Sequence, residues 1–185
     1  MPATANPLCI ALDTHDIARA RALARSLKGV AGMVKVGMEF FYAHGGPGYA
    51  AVASEGIPDF LDLKLHDIPN TVASALSALM RLEPLPAIVN VHATGGPAML
   101  EAAARAVDRR AKLIAVTVLT SLSEADLAAS GFGPAADLPM SLARLAQGQG
   151  LDGVVCSPRD VSAVRSACGQ DFLTVVDIVQ KRVER

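Results

Sequence analysis

The chain has 185 residues, of which 51% are hydrophobic and 19% charged, and its formal net charge is −1. That composition fits a globular domain and excludes a disordered chain. With a pI near 6.4, no basic patch, 4% aromatic residues and no Trp, nothing suggests a nucleic-acid partner.

The length suits one domain over residues 1–185, with residues 1–7 as a flexible N-terminal extension. Cys9, Cys156 and Cys168 have no metal-ligand spacing, and an odd count without a framework fits a reducing compartment. Cys9 and Cys156 sit in apolar runs and read as core thiols. Met1 to Pro7 lack the basic start and apolar stretch of a signal peptide. No apolar run approaches the roughly 20 residues that cross a bilayer. The expectation is a cytoplasmic protein without a membrane partner.

Short apolar runs recur at Leu8–Leu12, Met33–Val36, Phe60–Leu65, Ala87–Val91, Leu113–Leu119, Gly153–Cys156 and Phe172–Val176. Several are rich in Val and Ile, as strands buried on both faces are. The first five begin about 25 to 27 residues apart, the length of one strand plus one helix. Asp16–Leu27 carries Ala, Leu and Arg at helical spacing. Pro69–Leu82, Pro97–Val107 and Pro158–Ala167 each open on a proline, whose missing N–H is not needed in a first helical turn. Ser157 is placed to cap the last of these. Ser130–Pro139 reads as a loop in the fifth crossover. Alternating strand and helix predicts a parallel sheet.

Polar residues gather at the ends of these strands. Asp13 ends the first and Lys35 lies in the second, between Val34 and Val36. A lysine inside an apolar strand needs a carboxylate partner. In the third, Leu61, Leu63 and Leu65 alternate with Asp62, Lys64 and His66, and Asp67 follows. Alternate strand residues face opposite sides, so one face is leucine and the other sets a carboxylate beside an ammonium. His92 ends the fourth, where a structural bond to backbone is expected, and Thr117, Thr120 and Ser121 close the fifth. In a (β/α) barrel such ends form one rim, from which catalytic groups come. Gly45-Gly46-Pro47-Gly48 and Gly95-Gly96-Pro97 read equally as turns or as anion nests.

Asp62-Leu63-Lys64-Leu65-His66-Asp67-Ile68-Pro69-Asn70-Thr71 resembles the Asp-x-Lys-x-x-Asp-Ile-Pro-x-Thr signature of the orotidine 5′-phosphate decarboxylase family. The resemblance extends to Ala11-Leu12-Asp13, Val34-Lys35-Val36-Gly37, Val91-His92-Ala93 and Val118-Leu119-Thr120-Ser121, over roughly residues 8 to 176. It implies a (β/α)8 TIM barrel that converts orotidine 5′-monophosphate to uridine 5′-monophosphate with no metal and no organic cofactor. By position, Lys35, Asp62, Lys64 and Asp67 form an alternating array. Lys64 is the implied proton donor, and Asp62 lies against the departing carboxylate. Asp13 and Lys35 are implied at the ribose, and Thr120 and Ser121 at the pyrimidine. Asp67, Ile68 and Thr71 belong to the implied substrate site, with Asp67 and Thr71 reaching into the neighbouring subunit of a homodimer.

The chain departs from the family at its end. Leu173-Thr174-Val175-Val176 is followed by Asp177-Ile178-Val179, where the family has a phosphate loop, and Gln180-Lys181-Arg182-Val183 resembles the segment after that loop. Gln180 is then the residue expected near the phosphate. The expected fold is a barrel lacking the phosphate loop and its last βα unit, with weak substrate binding and lowered stability if these residues are the whole protein. Two other readings stand beside the decarboxylase. One is a sugar-phosphate decarboxylase or aldolase of the same superfamily. The other is an inactive barrel remnant serving as a binding or dimerisation module.

Overall fold

The computed structural model describes residues 6–132 and 137–177. Seven parallel strands pair in chain order: β1 (Cys9–Ala11), β2 (Met33–Gly37), β3 (Asp59–Leu65), β4 (Ile88–His92), β5 (Lys112–Val116), β6 (Gly153–Val155) and β7 (Leu173–Val175). This is the strand order of a (β/α)8 barrel, with seven strands among the described residues. Each apolar run of the sequence holds one strand. The fifth stops at Val116, earlier than its apolar run, and the Thr117 hydroxyl donates to the Val155 carbonyl at 3.0 Å.

The crossovers carry α1 (Ile17–Ser26), α2 (Met38–Ala53), α3 (Pro69–Leu79), α4 (Gly96–Val107), α5 (Glu124–Ala129), α6 (Leu138–Gly148) and α7 (Val161–Cys168). Asp16 caps α1 by accepting from the Arg19 amide at 3.0 Å. Pro69 opens α3 as expected, but the helix ends at Leu79, short of Leu82. Ser123 and Asp126 close a reciprocal capping box on α5. The last helix starts three residues later than the sequence suggests. Ser157 accepts through its side chain from the Arg159 amide and through its backbone from the Asp160 amide, so residues 158–160 form a turn. The Gly45 segment is a turn between two helical stretches, as one of its two readings expects. It breaks α2 internally, with Gly45 at φ 59° and Pro47 following.

Apolar side chains divide between two faces. Leu61, Leu63, Val89, Val91, Leu113 and Val154 pack outward against the helices, among them fully buried Leu76, Leu100 and Val164. Burying each leucine contributes about 2 kcal/mol. Met33, Phe60, Ile88, Ile114, Val116 and Val155 form a separate cluster of strand residues on the opposite, concave face. Side chains two positions further along β2, β3 and β4 on that face are Lys35, Asp62 and Asn90. The concave face is thus an apolar floor with polar groups above it, toward the strands' C-terminal ends.

Cys156 and Cys168 are buried, but Cys9, expected in the core, is exposed. It lies on β1, which ends the described sheet and pairs only with β2 there. The expected loss of the phosphate loop and eighth strand concerns residues from 178 onward, and these, with Gln180, lie outside the described residues.

On the helix-facing side, Asp59 is buried and accepts from the Tyr49 hydroxyl of α2 at 2.9 Å. Burial pushes its carboxyl up to about 6, and the Tyr49 hydrogen bond opposes this only in part. A carboxyl that holds its proton more tightly folded than unfolded favours the fold at low pH. That contribution is complete below the unfolded value of 3.8 and is lost as pH rises through about 6. Ionising Asp59 in the fold therefore costs on the order of 3 kcal/mol. Denaturant unfolding between pH 3.5 and 7 should show Asp59→Asn gaining stability relative to the parent as pH rises across that window. A constant difference would contradict this assignment.

Candidate active site

Three charged side chains meet on the concave face. Lys64 Nζ stands 2.7 Å from Asp62 Oδ1 and 2.8 Å from Oδ2. Lys35 Nζ, from β2, is 3.2 Å from Asp62 Oδ2. The Asp62 side chain is only 7% exposed, against 21% for Lys35 and 23% for Lys64. The carboxylate is therefore the buried centre, and the two ammoniums line the open side. Burial pushes the Asp62 carboxyl up. Hydrogen bonds from Lys64 and Asn90, with the Lys35 and Lys64 charges, outweigh burial and hold it below the usual carboxylate range.

Local geometry explains why Asp62 and Lys64 grip so closely. Simple alternation places them on one face, but the strand is not regular there. The β3–β4 register shifts between Leu61, opposite Val89, and Leu65, opposite Val91. Lys64 sits in this bulge with φ 50°, a left-handed conformation uncommon for a residue with a side chain. His66 lies just beyond the strand, exposed, and the strand ends at Leu65 as the apolar run does.

Asn90 is the site residue the sequence analysis missed. It is 1% exposed, its Nδ2 donates to Asp62 Oδ1 at 2.7 Å, and its Oδ1 accepts from the Lys64 amide at 2.8 Å. A polar amide inside the run Ile88-Val89-Asn90-Val91 was the available signal, since buried polar groups require partners. The His92 ring packs on His66, with centroids 5.4 Å apart. Burial, then the neighbouring His66 and Lys64, lower its pKa.

The other sequence candidates among the described residues flank the strand ends. Asp13 is exposed after β1. Asp67 is exposed and accepts from the Ile68 amide at 2.7 Å. Ile68 is 66% exposed, and Thr71, Thr120 and Ser121 are exposed around the same end of the sheet. Thr117 is buried in its backbone bond. Among the described residues, no group of three or more His, Cys, Asp or Glu side chains could hold a metal ion. No described helix is long and apolar enough to cross a membrane.

Parallel strands in barrel order, with charged groups collected at their carboxyl ends, define an enzyme of the (β/α)-barrel class. Residues 6–185 match the model of the Orotidine 5′-phosphate decarboxylase / HUMPS family, and the chain belongs to that family. An orotidine 5′-phosphate decarboxylase of Novosphingobium aromaticivorans is 50% identical over 171 residues, covering 92% of this chain and 75% of that protein. The crystal structure of the orotidine 5′-phosphate decarboxylase from Lactobacillus acidophilus is similar with a TM-score of 0.80 and 36% identity, over 92% of this chain and 80% of that one. An uncharacterized conserved protein from Geobacillus kaustophilus is similar with a TM-score of 0.83 and 39% identity, over 91% and 81% of the two chains.

Removing Asp62 leaves two ammoniums facing each other without their shared carboxylate. Asp62→Ala is expected to destabilise the fold by about 2–3 kcal/mol, below the full cost of breaking a fully buried pair because both lysines reach solvent. Added salt should shrink the loss. Chemical denaturation at low and high ionic strength measures both. A variant as stable as the parent at low salt would show that the carboxylate does not hold the lysines together.

Proposed function

We propose that this chain decarboxylates orotidine 5′-monophosphate to uridine 5′-monophosphate, a step of pyrimidine synthesis. The observation that carries the reading is the Lys35–Asp62–Lys64 cluster, one carboxylate gripped by two ammoniums above an apolar floor. Family membership and the named relatives supply the substrate.

Breaking the bond between the ring carbon and its carboxylate releases CO₂ and leaves an electron pair on that carbon. The pair is poorly delocalised, so the reaction needs a fixed positive charge beside it. Lys64 supplies that charge, held in advance by Asp62 above an apolar floor, and such preorganised electrostatics stabilise the transition state. Its Nζ then gives a proton to the carbon, and water returns one to the amine. Asp62 keeps Lys64 aimed through both of its oxygens. Beside the substrate carboxylate it also repels a like charge, and that repulsion ends as CO₂ departs.

Asp13 and Lys35 are assigned to the ribose hydroxyls, Thr120 and Ser121 to the pyrimidine, and Gln180 to the phosphate. Asp67, Ile68 and Thr71 are assigned to the substrate site, with Asp67 and Thr71 serving the neighbouring subunit of a homodimer. The protein is assigned to the cytoplasm. The exposure of Asp67, Ile68 and Thr71 supports the sharing of sites, because exposed side chains are available to a neighbouring subunit.

Lys64→Ala should lower kcat by at least roughly a thousandfold, the combined scale of a lost proton donor and a lost electrostatic stabiliser. Loss of absorbance of the orotidine base reports turnover, and a variant retaining most of its rate would remove Lys64 from the chemistry. Mixing Lys64→Ala subunits with Asp67→Ala subunits should regain activity, since a mixed dimer has one site with both groups intact. Sites built within single subunits would show no regain.

A further inference from the structure

Asn90 occupies the point where β3 and β4 fall out of register. A bulge leaves a backbone group without its ladder partner, and here the Asn90 side chain supplies one. Its Oδ1 accepts from the Lys64 amide at 2.8 Å, and its Nδ2 donates to Asp62 Oδ1 at 2.7 Å. Both ends of one buried amide are therefore spent on the two residues whose charges face each other 2.7 Å apart. The side chain makes no approach to the open mouth, being 1% exposed.

We propose that Asn90 is a positioning residue, a clamp that holds the Lys64 backbone in its left-handed conformation and the Asp62 carboxylate in one orientation, so that the Lys64 ammonium is fixed before substrate arrives. The clamp deepens the decarboxylase reading and its kinetic consequences rest on that reading. Without the Asn90 oxygen, the Lys64 amide loses its partner, and nothing compensates the left-handed backbone. An extended Lys64 would keep its face by alternation but lose the close grip on both Asp62 oxygens. Without the Asn90 amide, Asp62 is held by lysines alone. A displacement of about 1 Å at the reacting group is enough to cost roughly a hundredfold in rate.

Two substitutions separate the two bonds. Asn90→Ala removes both. Asn90→Asp keeps an acceptor for the Lys64 amide but sets a second carboxylate against Asp62. Asp62 is faced by Lys35 from β2 and Lys64 from its own strand, with His92 and His66 further out. A like charge added among these raises the pH at which Asp62 ionises.

For Asn90→Ala the expected result is a kcat lowered roughly ten- to a hundredfold, with KM for orotidine 5′-monophosphate within about threefold of the parent. For Asn90→Asp the acid limb of the kcat/KM profile should move up by about one pH unit or more. A kcat within about twofold of the parent for Asn90→Ala, or an unmoved acid limb for Asn90→Asp, would overturn the proposal.

Measurements on the substrate-free protein keep this test separate from the decarboxylase reading. Hydrogen exchange of the Lys64 amide should speed up at least about tenfold in Asn90→Ala and stay near the parent rate in Asn90→Asp. The Asp62 carboxyl carbon, followed by NMR, should titrate at higher pH in both variants. If the parent protein fails to turn over orotidine 5′-monophosphate, the functional reading falls, and exchange and titration still decide whether Asn90 is the clamp. Exchange at the parent rate in Asn90→Ala refutes it whatever the turnover. If Asn90→Ala does not fold, Asn90→Asp carries the test through the Asp62 titration and the acid limb.

Discussion

A carboxylate buried between two ammoniums is the constraint around which this protein is organised. Asp62 is mostly withdrawn from water and yet stays ionised, because two lysines and an amide supply the stabilisation that water no longer gives. Every part of that arrangement comes from a different strand or a different irregularity of one strand. Lys35 needs β2 in register with β3, Lys64 needs the bulge, and Asn90 needs β4 at the slip. A parallel sheet suits the purpose, since all its strands end at the same rim.

The floor beneath the cluster matters as much as the charges. Met33, Phe60, Ile88, Ile114, Val116 and Val155 pack against one another below Lys35, Asp62 and Asn90. They keep water from the buried side of the carboxylate, so that the lysines face an environment of low polarisability in which their charge acts strongly. Substrate chemistry would then take place between this floor and the open mouth, where both lysines remain partly solvated.

One backbone irregularity falls where function is assigned. Lys64 is left-handed, and the β3–β4 ladder slips beside it. The β4–β5 ladder, by contrast, runs through five consecutive partners from Ile88 to His92 without a shift. Strain of this kind persists only when its surroundings over-determine it. The bonds from Asn90 and Asp62 do that here. A regular strand carrying the same residues would point Lys64 the same way by alternation alone, but without the close grip on both carboxylate oxygens.

The sequence by itself determined the seven strands, the starts of α1, α3 and α4 to within a residue, and the residue types at the rim. Those signals are local: apolar runs one βα unit apart, prolines at first helical turns, and lysine and aspartate inside leucine-rich segments. It also carried the family signature around Asp62, Lys64 and Asp67. It did not show the exposure of Cys9 or the part played by Asn90. The tertiary structure decided these, because each depends on what lies across the sheet. Asn90 and Asp62 are 28 positions apart in the chain, and only strand pairing with one register shift makes them neighbours. Periodicity within a segment records which way a side chain faces, whereas a hydrogen bond between strands is set by register, which no single segment contains.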